Sequence, residues 1–403
     1  MNILYICDEY PPGRNGGIGT MVQVLGRELV KQGHNVYVAG LYSYRYGGNN
    51  FEEDKGVKVW RLRYGLNLFF MGNNFFYNIL EKLPNWLKKK MNGKIAYKKF
   101  LNFIEVLIEK EKIDVIEIPD WNSFSFVLGY LVTWPKFKVP LILKSHGSYT
   151  YFNLELNLPL NPIYHKIDIE LFNRADALTA VSNYTAINNQ IYFSLKRESK
   201  VLLNSIEISK HANTFQREEQ TVIFVGSLLK KKGIFQLVKA WNLVYKKHPQ
   251  AKLFIFGKGK INSFKKLLNK EANLSVEFKN HVSRFEILNQ FSKATLAVFP
   301  SYSETFGLMC IEAMSMGCPV IYTKRSCGSE IITDNENGLL IDPDNIIEIE
   351  EAISKLLNDK LLRENFSANA FTTVKNKFNV VNSAKEHVDY YKLVSNEFKL
   401  KKI

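Results

Sequence analysis

Cysteine is scarce in this chain of 403 residues: Cys7, Cys310, Cys318 and Cys327 are the only four, and no two stand as C-x-x-C. That spacing excludes a disulfide framework and a zinc-finger-like site, and it fits a reducing compartment. Long apolar runs are missing too. "VIFVGSLL" and "TLAVFP" stop well short of the roughly 18–20 residues a membrane-spanning helix needs. The opening "MNILYICDEYPP" has no basic stretch ahead of its apolar residues, so it reads as a first strand rather than a leader, and a cytoplasmic protein is expected. Neither a repeat of fixed period nor a low-complexity tract is present.

Acidic residues are outnumbered, 39 against 54 Lys and Arg, which leaves a formal charge of +15. Such an excess suits nucleic acid, an anionic membrane or a phosphorylated substrate. No nucleic-acid-binding module is recognisable, and none is expected as a partner. One stretch stands apart. Lys82–Phe100, "KLPNWLKKKMNGKIAYKKF", interleaves seven lysines with Trp86, Leu87, Met91, Ile95 and Tyr97 and holds no acid. It reads either as a basic amphipathic segment for the inner face of a membrane or as a solvated lysine face.

What the chain has in quantity is a βα alternation. Hydrophobic residues at 46% and charged residues at 23% are those of a folded protein, and the length calls for about two domains. "NILYI", "NVYVAG", "VKVWRL", "DVIEI", "PLILKS" and "ALTAVS" read as strands, several apolar enough to be covered on both faces. After a polar stretch at Ser209–Gln220 the pattern restarts with "TVIFVG", "KLFIFG", "SVEF", "TLAVFP" and "PVIYT". The expected architecture is α/β, with two doubly wound parallel sheets. The domains are placed at 1–205 and 206–381. A final helix over 382–403, with an apolar stripe at Ala384, Val388, Tyr391 and Phe398, is assigned to the first.

Ligands of such sheets lie beyond the carboxyl ends of the strands. There the chain places "DEYPPGRNGGIGT", "GSLLKKKG" (Gly226–Gly233) and "GKGK" (Gly257–Lys260), three turns suited to phosphate. None has the G-x-G-x-x-G register of a dinucleotide site or Walker A spacing. "PSYSETFGLMCIEAM" follows another strand. Glu304 falls in the loop, Glu312 one turn into a helix, and the amides near Phe306, Gly307 and Leu308 can meet negative charge. Glu312 can accept from a ribose diol and Glu304 from the hydroxyls of a second sugar beyond the phosphates. The plainer alternative is a helix cap and a surface ion pair.

Pro300–Val320 resembles the E-x7-E signature of retaining glycosyltransferases of family 4, which have the GT-B fold: two Rossmann-like domains facing a central cleft. The likeness runs along nearly the whole chain, through Pro11–Val38, His146-Gly147, "VSNYT" (Val181–Thr185), "NSIE" (Asn204–Glu207) and "ENGLLIDPDN" (Glu336–Asn345). It implies transfer of a hexose from a nucleotide-diphosphate sugar, with retention, to a glycan or lipid-linked acceptor in cell-surface polysaccharide or glycolipid synthesis. The first domain would take the acceptor and the second the donor, with neither metal nor cofactor. By the resemblance Glu312 binds the ribose and Glu304 the hexose; Phe306, Gly307 and Leu308 approach the diphosphate or sugar through their backbone. Lys232 and Gly17 lie by the diphosphate, with Gly226 and Gly257 at the donor turns, and His146 stands near the reacting sugar. Ser227 departs from the pattern, since the family often has arginine there; Ser205 and Asn280 replace common glycines. Within the same architecture the alternatives are a sugar-nucleotide epimerase or a phosphorylase. Outside it stands a non-catalytic basic binding protein.

Overall fold

A computed structural model describes residues 1–13, 16–44, 46–64, 93–208, 217–280 and 282–401. The chain divides into two compact units. The first comprises Met1–Val181, Thr185–Ser205 and Val380–Ile403, the second Ser182–Tyr184 and Ile206–Asn379. Residues 82–92 of the basic segment lie outside the described residues. Its remainder enters the helix Lys94–Lys110, where Tyr97 and Phe100 are buried and Lys98 and Lys99 face solvent. No described helix is long and apolar enough to cross a membrane.

The first unit holds β1 (Asn2–Ile6), β2 (Asn35–Ser43), β3 (Phe51–Asp54), β4 (Val57–Tyr64), β5 (Val115–Pro119), β6 (Leu141–Ser145), β7 (Ala177–Ala180) and β8 (Lys200–Val201), in the order β3-β4-β2-β1-β5-β6-β7-β8. All pairs are parallel except β3 with β4. The unbroken apolar run of β1 has the reason expected of it. Leu4 and Ile6 enter the core on one face while Ile3, Tyr5 and Cys7 enter that on the other. The C-terminal helix Val380–Leu400 covers the second face, with Ala384, Val388, Tyr391 and Val394 in that core. Phe398 of the apolar stripe is only half-buried.

The second unit holds β9 (Thr221–Val225), β10 (Lys252–Phe256), β11 (Val276–Lys279), β12 (Leu296–Phe299), β13 (Val320–Thr323) and β14 (Leu339–Ile341), in the parallel order β11-β10-β9-β12-β13-β14. Chain direction of travel across the sheet reverses between β9 and β12. Brändén-type switch points of this kind open a crevice at the strand ends, and the first sheet has its own between β1 and β5.

Candidate functional site

The β9–β12 switch point is flanked by two loops of interest, Gly226–Gly233 after β9 and Pro300–Gly307 after β12. They are fastened together. Tyr302 donates its amide to the Lys231 carbonyl at 2.7 Å, and Gly233 lies so close that a Cβ there would stand 1.7 Å from the Pro300 carbonyl oxygen. Only glycine fits, and its φ of +68° also favours that residue. The same loop is braced from outside by Tyr302, whose hydroxyl donates to Asp344 at 2.6 Å beneath the Arg325 guanidinium.

This contact carries Lys232 to Glu304. The ammonium donates to Glu304 Oε1 at 2.5 Å, and the Ser301 hydroxyl donates to the same oxygen at 3.0 Å. The Glu304 amide meets Ser326 Oγ at 3.3 Å. Two residues on, Phe306 is buried, and Gly307 caps the helix Leu308–Ser315 at φ +85°. Among the described residues no acceptor meets the amides of Phe306, Gly307 or Leu308, so the start of this helix presents unsatisfied N–H groups.

Glu312 lies in that helix, but it is no surface residue: it is 1% exposed. Arg284 donates from Nε to Glu312 Oε1 at 2.6 Å, while Oε2 is buried without a partner. Burial pushes the carboxyl above its ordinary value, with Arg284 working against it. Arg284 escaped the sequence reading. A signal existed: it opens the helix Arg284–Lys293 behind the Ser283 cap, and a cation at a helix N-terminus is at the unfavourable end of the dipole.

The turns after β9 and β10 differ from the expectation of free amides. Gly226 donates to the Phe256 carbonyl at 3.0 Å and Gly257 to that of Lys279 at 3.3 Å, so both continue the sheet ladder. Their amides are spent, and any anion here must be met by side chains. Ser227 is exposed, and so are Lys230, Lys258 and Lys260; the Leu228 amide, bonded to the Lys258 carbonyl at 2.9 Å, brings Lys258 to the Ser227 turn. Among the described residues no group of three or more His, Cys, Asp or Glu is placed to hold a metal ion.

His146 and Gly17 belong to the first unit. His146 directly follows β6, and its amide and that of Gly147 donate to Asp120, at the end of β5, at 2.8 and 3.0 Å. Burial lifts the Asp120 carboxyl to about 7 against these bonds. The His146 imidazole is held well below its ordinary range by burial and by the Lys144 ammonium, which keeps it neutral. Asp120, like Arg284, was not picked out by sequence, though it stands at a strand's carboxyl end. Gly17 opens the helix Gly17–Lys31, and here the expected anion is internal: the Glu9 carboxylate accepts from the Gly16 amide.

Residues 15–209 match the model of Glycosyltransferase Family 4, and residues 205–373 that of Glycosyl transferases group 1. A glycosyltransferase of Methanocaldococcus jannaschii is 25% identical over 98% of each chain. Among solved structures, sucrose-phosphate synthase of Thermosynechococcus elongatus superposes with a TM-score of 0.73 at 19% identity, over 98% of each chain. An Anabaena protein, HepE, solved in complex with UDP and glucose, gives 0.67 at 16% identity, over 97% of this chain and 99% of its own. With two family models joined end to end along one chain, and with two parallel α/β units, the protein belongs to the group 1 glycosyltransferases and is an enzyme of the GT-B fold.

Proposed function

We propose that this enzyme is a retaining hexosyltransferase that takes its sugar from a nucleotide-diphosphate donor bound at the β9–β12 switch point. The observation that carries the reading is the pair of carboxylates along one loop and helix: Glu304 on Lys232, and Glu312 with one buried oxygen unpaired. An unpaired buried acceptor is costly, and a ribose hydroxyl relieves it. Glu304 lies at the helix start, where the hydroxyls of a hexose would find it. The Anabaena relative's UDP and glucose fit the same donor class.

The chemistry is a separation of charge. As the glycosidic bond breaks, the diphosphate gains negative charge; Lys232 and the amides of Phe306, Gly307 and Leu308 are the groups that stabilise it. Lys232 leaves Glu304 for the phosphate, which frees the carboxylate to accept from the sugar. The acceptor hydroxyl attacks the anomeric carbon on the face the diphosphate leaves, and its proton passes to a leaving phosphate oxygen. His146, neutral, accepts a hydroxyl hydrogen bond near the reacting sugar. The acceptor is a glycan or a lipid-linked glycan in cell-surface polysaccharide or glycolipid synthesis, with the basic segment Lys82–Phe100 resting on the inner, anionic face of the membrane.

The test is a thermal-shift screen of wild type and Glu312→Ala against UDP, GDP, ADP, CDP and their hexose conjugates. A ligand at 100 times its dissociation constant stabilises by about 2.7 kcal/mol. One nucleotide that shifts wild type and not the variant is expected. If no nucleotide shifts wild type, the donor assignment fails. The anomeric configuration of the product, read by NMR, decides retention separately.

A further inference from the structure

Beside His146 the first unit carries a recess walled by aromatic rings that none of the donor chemistry uses. Trp121 and Phe126 lie 4.8 Å apart between ring centres, Phe126 and Tyr164 4.7 Å, and Tyr149 closes the wall with edge contacts to Tyr164 at 5.4 Å and Phe126 at 5.8 Å. Aromatic rings in a core are normally covered. These four all keep surface, and Tyr149 is 38% exposed. The floor is polar. Asp120 lines it, held from behind by the amides of His146 and Gly147, and each carboxylate oxygen keeps a further lone pair. Asn122 lines it as well. Its Nδ2 is spent on the Pro119 carbonyl at 3.0 Å, and its buried Oδ1 has no partner.

From this combination we infer that the recess is the acceptor subsite and that its ligand is a pyranose ring of a glycan, stacked on the aromatic wall with its hydroxyls donating to Asp120 and Asn122. The inference rests on the reading of the chain as a sugar transferase and names the acceptor class of that reaction. Each part of the recess asks for a different face of a sugar. The C–H face of a pyranose is apolar and flat enough to lie against a ring, while its equatorial hydroxyls project from the edge as donors. A hydrocarbon chain would satisfy the rings and leave Asp120 and Asn122 desolvated. A phosphate would meet a carboxylate and no cation in the lining. The fastening of Asp120 to the His146 turn places the sugar's hydroxyls next to the histidine that the proposed reaction uses.

The experiment is saturation-transfer NMR on the full-length enzyme with methyl glycosides of glucose, galactose, mannose and N-acetylglucosamine. Dodecylphosphocholine below its micellar concentration is the lipid arm. Wild type, Tyr149→Ala and Tyr149→Trp are compared, Tyr149 being chosen because its exposure lets the variants fold. At least one glycoside is expected to take saturation through its ring protons. Its affinity should fall by roughly five-fold in Tyr149→Ala, the scale of one aromatic contact, and return in Tyr149→Trp. The inference is overturned if no glycoside receives saturation, if the bound glycoside ignores the alanine substitution, or if dodecylphosphocholine alone binds. A nucleotide thermal shift on the same samples separates the two readings. Nucleotide binding without glycoside binding overturns the subsite alone. Glycoside binding that depends on Tyr149, without nucleotide binding, overturns the transferase donor site and leaves the sugar site standing.

Discussion

Arg284 Nε stands 2.6 Å from Glu312 Oε1, joining the first residue of one helix to a fully buried carboxylate on another. The pair explains how a glutamate can sit in an apolar helix at all, and it fixes which of its oxygens is left over for a ligand. Replacing Arg284 by alanine leaves the carboxylate buried without its cation. The expected loss is about 1–3 kcal/mol in urea denaturation, and Glu312→Gln in the same background should recover part of it. If Arg284→Ala is as stable as wild type, the pair is not what holds Glu312.

Lys232 carries the next prediction. If it stabilises charge on the departing diphosphate, Lys232→Ala should lower kcat by about 10²–10³-fold with a much smaller change in donor affinity. Steady-state kinetics on the donor found in the nucleotide screen would check it. An equal loss in kcat and in donor affinity would instead assign the lysine to ground-state binding.

Much of this fold was readable in the sequence because parallel strands covered on both faces are unbroken apolar runs, as β1, β6, β9 and β12 are. The strand β3 was not, since "FEED" is a short polar edge strand held only by antiparallel pairing to β4. The placing of Glu304 in a loop and Glu312 inside a helix followed from the glycine between them. Their partners did not follow. Lys232 and Arg284 lie 72 and 28 residues from the carboxylates they meet, and only the packing of β9 beside β12 and of one helix on another brings them there. The amides of Gly226 and Gly257 were misjudged for a related reason. A strand-end glycine looks free in sequence, yet the neighbouring strand runs one residue further and takes its N–H.

The buried aspartates of the first unit predict a pH dependence. Burial lifts Asp168 to about 6, against the hydroxyl bond from Ser148 at 2.8 Å. A folded value above the unfolded one, near 4, means that the folded state binds the proton more tightly. Its contribution is therefore complete below about pH 4 and is lost as pH rises through about 6. Relative to wild type, Asp168→Asn should gain on the order of 2 kcal/mol in stability between pH 4 and pH 7. Melting temperatures of the two proteins across that range decide it, and parallel profiles would mean that Asp168 titrates as an ordinary carboxylate.

The last prediction concerns the polar thread beneath the C-terminal helix. Lys144 of β6 donates to His387 Nε2 at 2.7 Å, His387 Nδ1 donates to the Ser383 carbonyl at 2.7 Å, and Tyr391 donates to Glu117 of β5 at 2.6 Å. All four side chains are buried, so the Lys144 and Glu117 charges see little water and depend on each other. Burial drives the lysine down and the glutamate up, and each opposes that drift in the other. Removing only the cation, in Lys144→Met, leaves Glu117 without its counter-charge and His387 without its donor. The cost should be about 3–5 kcal/mol. The double variant Lys144→Met with Glu117→Gln removes both charges and should regain a large part of that loss, because the apolar methionine fills the same volume. A fall in the denaturation midpoint that the second substitution does not relieve would show that Lys144 acts through packing alone, and the charge argument for how this helix is held would fail.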